Sequence, residues 1–191
     1  CIIIIIPTFI FSQIVINELM IQPFNSDFGE EFSEYIELYN ISDHGVDLEG
    51  WSIETNSGLA IIADLAIESN GYALLGMSSN TNLTLGLVMD YAWGFGTGVS
   101  LNNIADVVRL SDQFGSTVDI VEYQGSWPSI VSGASVELIN PLYDNNGASH
   151  WETGLGTYDS ESNKGTPNTI NASWEPVAAV NVSDLDFGVI E

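Results

Sequence analysis

Apolar and polar side chains alternate along most of the chain after residue 13, and turn-forming residues separate the alternating stretches. Alternation with a period of two is typical of β-strands, whose successive side chains point to opposite faces of a sheet. No stretch keeps the 3.6-residue repeat of an amphipathic helix. The alternating stretches recur about every ten to fifteen residues, a spacing that predicts an all-β antiparallel sandwich and not a parallel α/β fold.

The alternation also predicts where individual strands and core residues lie. Strands are expected at residues 14–21, 34–40, 46–48, 50–53, 59–62, 72–76, 107–112, 118–123 and 135–141. A bulge at Gly50 is expected to join two of these short stretches into one strand. The predicted core consists of Trp51, Ile36, Leu38, Leu74, Val108, Leu110, Ile120 and Leu138.

The segments between these strands carry turn and loop signals. Asn70-Gly71 predicts a tight turn before residues 72–76, which are apolar on both faces and are therefore expected in the centre of a sheet. Residues 77–100 are predicted to form a long loop with one weak strand. Residues 141–170 are expected to wrap around the sandwich, anchored by Trp151.

The charge of the chain narrows the classes of partner. There are 26 Asp and Glu residues against two basic residues, Arg109 and Lys164, so the formal net charge is −24. Such a chain repels phosphate backbones and anionic membrane surfaces and attracts cations. We therefore expect no nucleic-acid partner, and we expect contact with a protein or carbohydrate surface instead. Apolar residues make up 45% of the chain, enough for a substantial core.

The two ends of the chain differ from the middle in composition. Residues 1–12 form an apolar run of the length of a signal-peptide core, which predicts the remnant of a signal peptide cut before Gln13. The alternative reading is a buried strand, because five successive isoleucines suit one. Residues 13–170 are predicted to be one domain, residues 171–176 a linker, and residues 177–191 the truncated start of a further, immunoglobulin-like domain. These features predict a secreted or cell-surface protein with no membrane span in the mature chain.

Several of the predicted strands carry a family resemblance. The segments are Ile16-Asn17-Glu18-Leu19-Met20, residues 34–42, 46–53, 107–110, 118–123 and 135–141, and the closing Gly165-Thr166-Pro167-Asn168. Together they resemble the lamin-tail domain as it occurs in exported bacterial proteins, over residues 14–168. The resemblance implies an immunoglobulin-like β-sandwich without catalytic residues of its own. It also implies that the domain belongs to a larger protein whose other parts are nucleases, other hydrolases or surface-anchoring segments.

The chain departs from the nuclear lamins themselves. It has no heptad rod and no basic localisation run, so lamina assembly and chromatin binding are not expected here.

Two groups of residues are candidate sites. Asp27, Glu30, Glu31 and Glu34 could supply oxygen ligands to calcium, the one cofactor that the sequence points to. The alternative for these four residues is diffuse attraction of cations by a solvated loop. Tyr91, Trp93 and Phe95 alternate along one segment and could stack on a sugar or a partner protein if exposed; otherwise they belong to the core or anchor a loop.

Three hypotheses for the function remain open. The leading one is a non-catalytic β-sandwich module of a larger exported or cell-surface protein that mediates adhesion or protein and ligand contacts. The second is an accessory domain of an extracellular hydrolase, a nuclease or glycosidase, whose catalytic domain lies outside this chain. The third is an enzyme that uses the carboxylates of Glu34 and Glu37. The alternative is that Glu37 lies on a solvated sheet face and has no catalytic role. No coherent catalytic set is present in the sequence, so the chain is not expected to be an enzyme.

Overall fold

The computed structural model describes residues 13–124 and 129–174, which form two main β-sheets packed face to face. The signal-peptide prediction for residues 1–12 and the further-domain prediction for residues 177–191 fall outside the described residues. The strands are β1 (Ile14–Met20), β2 (Tyr35–Asn40), β3 (Val46–Asp47), β4 (Ser52–Glu54), β5 (Leu59–Ile61), β6 (Ala66–Ile67), β7 (Tyr72–Gly76), β8 (Tyr91–Ala92), β9 (Ala105–Ser111), β10 (Thr117–Gln124), β11 (Val136–Leu138) and β12 (Trp151–Thr153).

The strands are arranged in one large sheet, one smaller sheet and a short ribbon. The six-stranded sheet has the order β12-β11-β1-β2-β7-β8, in which only the β7–β8 pair is parallel. The four-stranded sheet has the order β10-β9-β4-β5, and β3 pairs with β6. In the described ranges the only helical elements are 3-10 turns at Glu30–Phe32, Phe95–Thr97 and Ala148–His150. None of these turns has the length or the apolar character that a membrane-spanning helix requires.

The main hydrophobic core lies between the two sheets. Seven of the eight predicted core residues are buried, and Trp51 keeps only 9% of its surface exposed. Leu74 is buried as predicted, but it belongs to a second cluster on the opposite face of the six-stranded sheet. That second cluster comprises Met20, Tyr35, Leu74 and Met89, with Leu87 and Tyr158 packed against it.

The second cluster shows that the six-stranded sheet is covered on both faces. Every residue of β1 and β2 is buried, although their sequences alternate. Two irregular segments form the outer cover. One is the loop before β8, which contributes Met89, and the other is residues 154–174, which contribute Tyr158. We call residues 154–174 the closing segment.

The prediction for Ile120 is wrong. The pairing of β10 with β9 shifts register between Thr117 and Asp119, which marks a bulge. Because one inserted residue moves the following side chains to the other face, Val121 and Tyr123 enter the core and Ile120 points outward, half-buried.

Two strand predictions also need correction. The stretches around Gly50 do not form one bulged strand, since β3 pairs with β6 while β4 belongs to the four-stranded sheet. The segment after β11 contains a strand that was not predicted, β12, in which Trp151 lies opposite Leu138. The expectation that Trp151 anchors this segment is confirmed, because its indole Nε1 donates to the carbonyl oxygen of Asn145 at 2.7 Å.

Truncating Trp51 tests the core. We expect Trp51→Ala to lower the free energy of unfolding by about 3–5 kcal/mol, because it removes a buried aromatic side chain and leaves a cavity. Phe114→Ala is the matched control, since Phe114 is 83% exposed and its loss should change stability by less than about 0.5 kcal/mol. Urea unfolding measures both; equal effects of the two substitutions would contradict the assigned core.

Candidate functional site

The four acidic residues predicted to bind calcium lie in and around the 3-10 turn before β2, in different surroundings. Asp27 is exposed, Glu30 and Glu31 are partly buried, and Glu34 is buried. Glu34 accepts a hydrogen bond from the backbone N–H of Leu101 at 2.9 Å. Burial, with the nearby charges of Glu30 and Glu31 adding to it, raises the pKa of Glu34 to about 8.

One observation beside these acids is compatible with a cation. The side-chain NH2 of Asn103 donates to Glu30 at 2.8 Å. The side-chain oxygen Oδ1 of Asn103 is buried and has no hydrogen-bond donor among the described residues. An amide oxygen left without a donor is a ligand type that calcium accepts. However, within residues 13–124 and 129–174 no three Asp, Glu, His or Cys side chains converge as a metal site requires. Calcium binding therefore stays a prediction.

The three aromatic residues predicted to bind a ligand do not share one environment. Trp93 is buried in the main core, and Tyr91 packs against that core. The hydroxyl of Tyr91 donates to the carbonyl oxygen of Ile61 at 2.7 Å. Phe95 is 67% exposed and meets Phe32 edge-on at 5.2 Å. Ligand binding by this group remains a prediction, in which Phe95 offers the most accessible ring.

The alternation of β2 does place Glu37 away from Ile36 and Leu38, but the expected solvated face does not exist there. Glu37 has no exposed surface. Its Oε1 accepts from the side-chain amide of Asn17 at 2.8 Å. Since Glu34 and Glu37 are both buried and hydrogen-bond to different segments, they form no open pair of carboxylates for a substrate.

Glu37 belongs to a row of glutamates that crosses three neighbouring strands. Glu18 on β1 lies directly opposite Glu37 on β2 and Glu137 on β11, and all three are fully buried. Glu152 on β12 continues the row beyond Glu137, but it is exposed. We call Glu18, Glu37 and Glu137 the glutamate row.

The row is electrostatically unfavourable when it is fully ionised. Burial raises the pKa of Glu18 to about 7 from the ordinary 4.5. Burial, and next the charge of Glu18, raise the pKa of Glu37 well above 4.5, and burial raises that of Glu137. The hydroxyl of Tyr35 donates to Glu18 at 2.5 Å, which partly offsets the loss of water. Desolvation and like charges therefore favour protonated forms in this row.

Sequence reasoning overlooked Glu18 and Glu137, although a local signal exists. Glu137 stands between Val136 and Leu138, and Glu18 is followed by Leu19 and Met20 in a strand that begins with three apolar residues. Glutamate is unfavourable in strands, so a glutamate in the middle of a strong strand pattern indicates a hydrogen-bonding role on a covered face.

The outer face of the four-stranded sheet differs from the covered six-stranded sheet, because it presents apolar side chains to solvent. On edge strand β5, Leu59 and Ile61 are 46% and 56% exposed. One row across this face runs from Leu59 through Glu54 and Arg109 to Ile120. Arg109 Nη1 donates to Glu54 Oε2 at 3.0 Å in its middle. The face thus combines aliphatic groups with one of the chain's two basic residues.

A shallow depression of about 640 Å³ opens on the β9–β10 side of this face. It is lined by Asn56, Ala105, Asp106, Val107, Ile120, Glu122, Tyr123, Gln124 and Asn146. Amide and aliphatic groups dominate this lining, a mixture that suits a polar partner surface with small apolar parts.

Fold and site together define a class of protein: an immunoglobulin-like β-sandwich with an open sheet face and buried carboxylates. Residues 11–125, more than half of the chain, match the family model of the Lamin Tail Domain. The chain belongs to the lamin tail domain family. No curated protein matches the sequence. The family match ends at residue 125, so β11, β12 and the closing segment lie beyond it.

Calcium binding is tested by thermal unfolding at pH 8. If calcium binds at Glu34, millimolar calcium should raise the melting temperature by a few degrees, because a ligand that binds only the folded state stabilises it by mass action. Glu34→Gln should abolish the shift, whereas Glu122→Gln, which removes an exposed carboxylate on β10, should preserve it. An unchanged melting temperature of the unsubstituted protein in calcium would end this hypothesis.

Proposed function

We propose that this domain is a non-catalytic recognition module of a larger exported or cell-surface protein. In this proposal it contacts a protein or carbohydrate surface through the outer face of the four-stranded sheet. The fold and the family support a non-catalytic β-sandwich module of a protein-interaction type. The choice of face, the class of partner and the exported context are proposed in addition.

The observation that carries the proposal is the exposure of Leu59 and Ile61 together on edge strand β5. Isolated exposed aliphatic residues are ordinary, but these two share a face with the half-buried Val107 and Ile120. The opposite sheet has both of its faces covered, so it offers no comparable open face in the described part of the chain.

Charge supports a specific kind of contact. A chain with a net charge of −24 favours partners that are neutral or basic. The Glu54–Arg109 pair is half exposed, so a partner could exchange polar contacts with it at little desolvation cost. Aliphatic groups around such a pair resemble the mixed composition of ordinary recognition surfaces.

The buried carboxylates support a role without catalysis. Glu34 accepts a hydrogen bond from Leu101, and Glu37 accepts one from Asn17. A general acid or base must reach the substrate proton directly or through one water molecule. Neither carboxylate has this access, which leaves binding as the function that the geometry supports best.

The exported context rests on the apolar run at residues 1–12 and on the acidity of the chain. The other domains encoded by the same gene distinguish the hydrolase-accessory role from the adhesion role. A nuclease or glycosidase domain in the same open reading frame would favour the accessory role. Further immunoglobulin-like modules or an anchoring signal would favour adhesion.

A photo-crosslinking experiment tests the proposed face. Benzoylphenylalanine replaces Ile61 in one protein and Val88 in another, since Val88 is 64% exposed on the loop that covers the other sheet. Both proteins are added to intact cells of the producing organism and irradiated. We expect one defined covalent product from position 61 and none from position 88.

Two outcomes of the crosslinking experiment would count against this face. Equal products from both positions, or none from either at saturating protein, would contradict recognition through this face. Ile61→Glu in the unlabelled protein serves as competitor, and it should fail to suppress the product that the unsubstituted chain suppresses.

A further inference from the structure

The part of the closing segment after Gly165 is attached to the six-stranded sheet through the glutamate row, whereas Gly154 and Lys164 hydrogen-bond to the backbone at Gly133 and Ser135. The backbone N–H of Thr166 donates to Glu18 at 3.0 Å, and that of Asn168 donates to Glu37 at 2.5 Å. The backbone N–H of Ala172 donates to Glu137 at 2.9 Å. Each glutamate of three adjacent strands therefore accepts one backbone amide from the same segment.

Further contacts extend this attachment. The side chains of Asn17 and Asn171 hydrogen-bond at 2.8 Å, and Asn171 also donates to the carbonyl oxygen of Leu138 at 2.8 Å. Asn17 is the residue at which β1 shifts register against β2. At the end of the segment, the ring of Trp174 meets Tyr39 edge-on at 6.0 Å.

No cation in the described residues neutralises the row. Arg109 pairs with Glu54 in the other sheet, and the side chain of Lys164 is exposed. His44 pairs with Asp43, and the ring Nδ1 of His150 bonds to a backbone oxygen. Neighbouring strands are about 5 Å apart, so Glu18 has a buried carboxylate on the strand at each side. The three cannot all be ionised without strong repulsion in a dry site.

The other titratable groups that face the row do not supply positive charge either. Tyr35 and Tyr158 lie within the electrostatic reach of Glu18, and Tyr35 and Tyr72 lie within that of Glu37. Glu152 is the next glutamate after Glu137 and is exposed. Every group that titrates around the row is therefore neutral or negative, and protons are the positive charges that are left to balance it.

We propose that residues 165–174 of the closing segment form a proton-operated latch. The glutamate row holds these residues on the sheet while the row retains protons, and releases them as the protons are lost. Release admits water to the carboxylates and uncovers the outer face of the six-stranded sheet. The latch lies on the sheet opposite to the proposed recognition face, so the two proposals are tested independently.

The direction of the pH dependence follows from linkage. The closed state holds its protons to higher pH than exposed glutamates do, because burial raises the pKa of Glu18 to about 7 and raises those of its neighbours. The state that binds more protons is favoured at low pH. The latch is fully closed below about pH 4.5 and loosens as the pH rises through 7.

Gly165 gives an independent way to prevent closure. A Cβ at this position would collide with the Glu18 carboxylate and would lie 2.8 Å from the Tyr35 hydroxyl. Since both atoms are held in the covered face, Gly165→Ala should keep the segment from closing at any pH while leaving the core between the sheets intact.

Hydrogen exchange in the full 191-residue chain tests the latch. Exchange is measured between pH 5 and pH 8 and corrected for the intrinsic dependence of amide exchange on pH. The protection of Thr166, Asn168 and Ala172 should fall by about tenfold or more over this range. The amides of Val108 and Leu110 in the core should change much less.

Two glutamine variants separate the row from general charge repulsion. Glu18→Gln keeps a neutral, hydrogen-bonding side chain in the row and should remove most of the pH dependence at residues 166–172. Glu152→Gln removes the same charge from the exposed end of the row and should behave like the unsubstituted protein. If both variants flatten the pH dependence equally, net charge explains it and the latch is wrong.

A second readout avoids comparison across pH values. Trypsin has two cleavage sites in this chain, after Arg109 in β9 and after Lys164 in the closing segment. At pH 8, Glu18→Gln should slow cleavage after Lys164, and Gly165→Ala should accelerate it, with Arg109 protected in both. Protection at residues 166–172 that is the same at pH 5 and pH 8, or that falls in step with the core, would overturn the proposal.

Discussion

Hydrogen bonding of buried loop amides is the constraint on which the rest of this structure depends. The six-stranded sheet is covered on its outer face by irregular segments, whose backbone N–H groups have no neighbouring strand to pair with. A buried N–H without an acceptor costs about as much as a lost hydrogen bond, so each cover needs acceptors from the sheet beneath it. Carboxylates supply them repeatedly in this protein. In the cover of the six-stranded sheet the pairs are Thr166 to Glu18, Asn168 to Glu37 and Ala172 to Glu137. Elsewhere the loop amide of Leu101 donates to Glu34, and the β1 amide of Ile16 donates to Asp119 on the other sheet.

This solution has an electrostatic consequence. A carboxylate accepts strong hydrogen bonds, but its burial disfavours the ionised form and moves its pKa upward. At Asp119 burial raises the pKa to about 6, and the hydrogen-bond donors partly balance that cost. Where three stand side by side, as in the glutamate row, repulsion is added to desolvation. The same groups that fasten the closing segment thus make its attachment sensitive to protons.

The sequence predicted the strands better than it predicted their surroundings. Alternation located β1, β2, β9 and β10 because their inward faces are mostly apolar, and a run that is apolar on both faces located β7. It failed at Ile120, since the bulge near Thr117 reverses which side chains face inward. It also gave no indication of β12, which has three residues and is fixed by its pairing with β11 and not by its own pattern.

Candidate sites were harder to predict, for a related reason. A polar residue on the outer face of a strand looks the same in sequence whether that face meets water or a covering loop. Glu37 was therefore expected on a solvated face, whereas the cover comes from residues more than 100 positions later in the chain. The aromatic residues Tyr91 and Trp93 show the converse case, because tertiary packing places them on the core. Only the three-dimensional arrangement decides between these outcomes.

The protonation of individual glutamates is the most direct test of this account. Carbon-detected NMR of the side-chain carboxyl groups gives a separate titration curve for each glutamate. We expect Glu18, Glu37 and Glu137 each to titrate above 4.5, with the pKa of Glu18 near 7. Titration of all three residues near pH 4.5 would contradict the account, because the row would then be fully ionised beneath a closed cover.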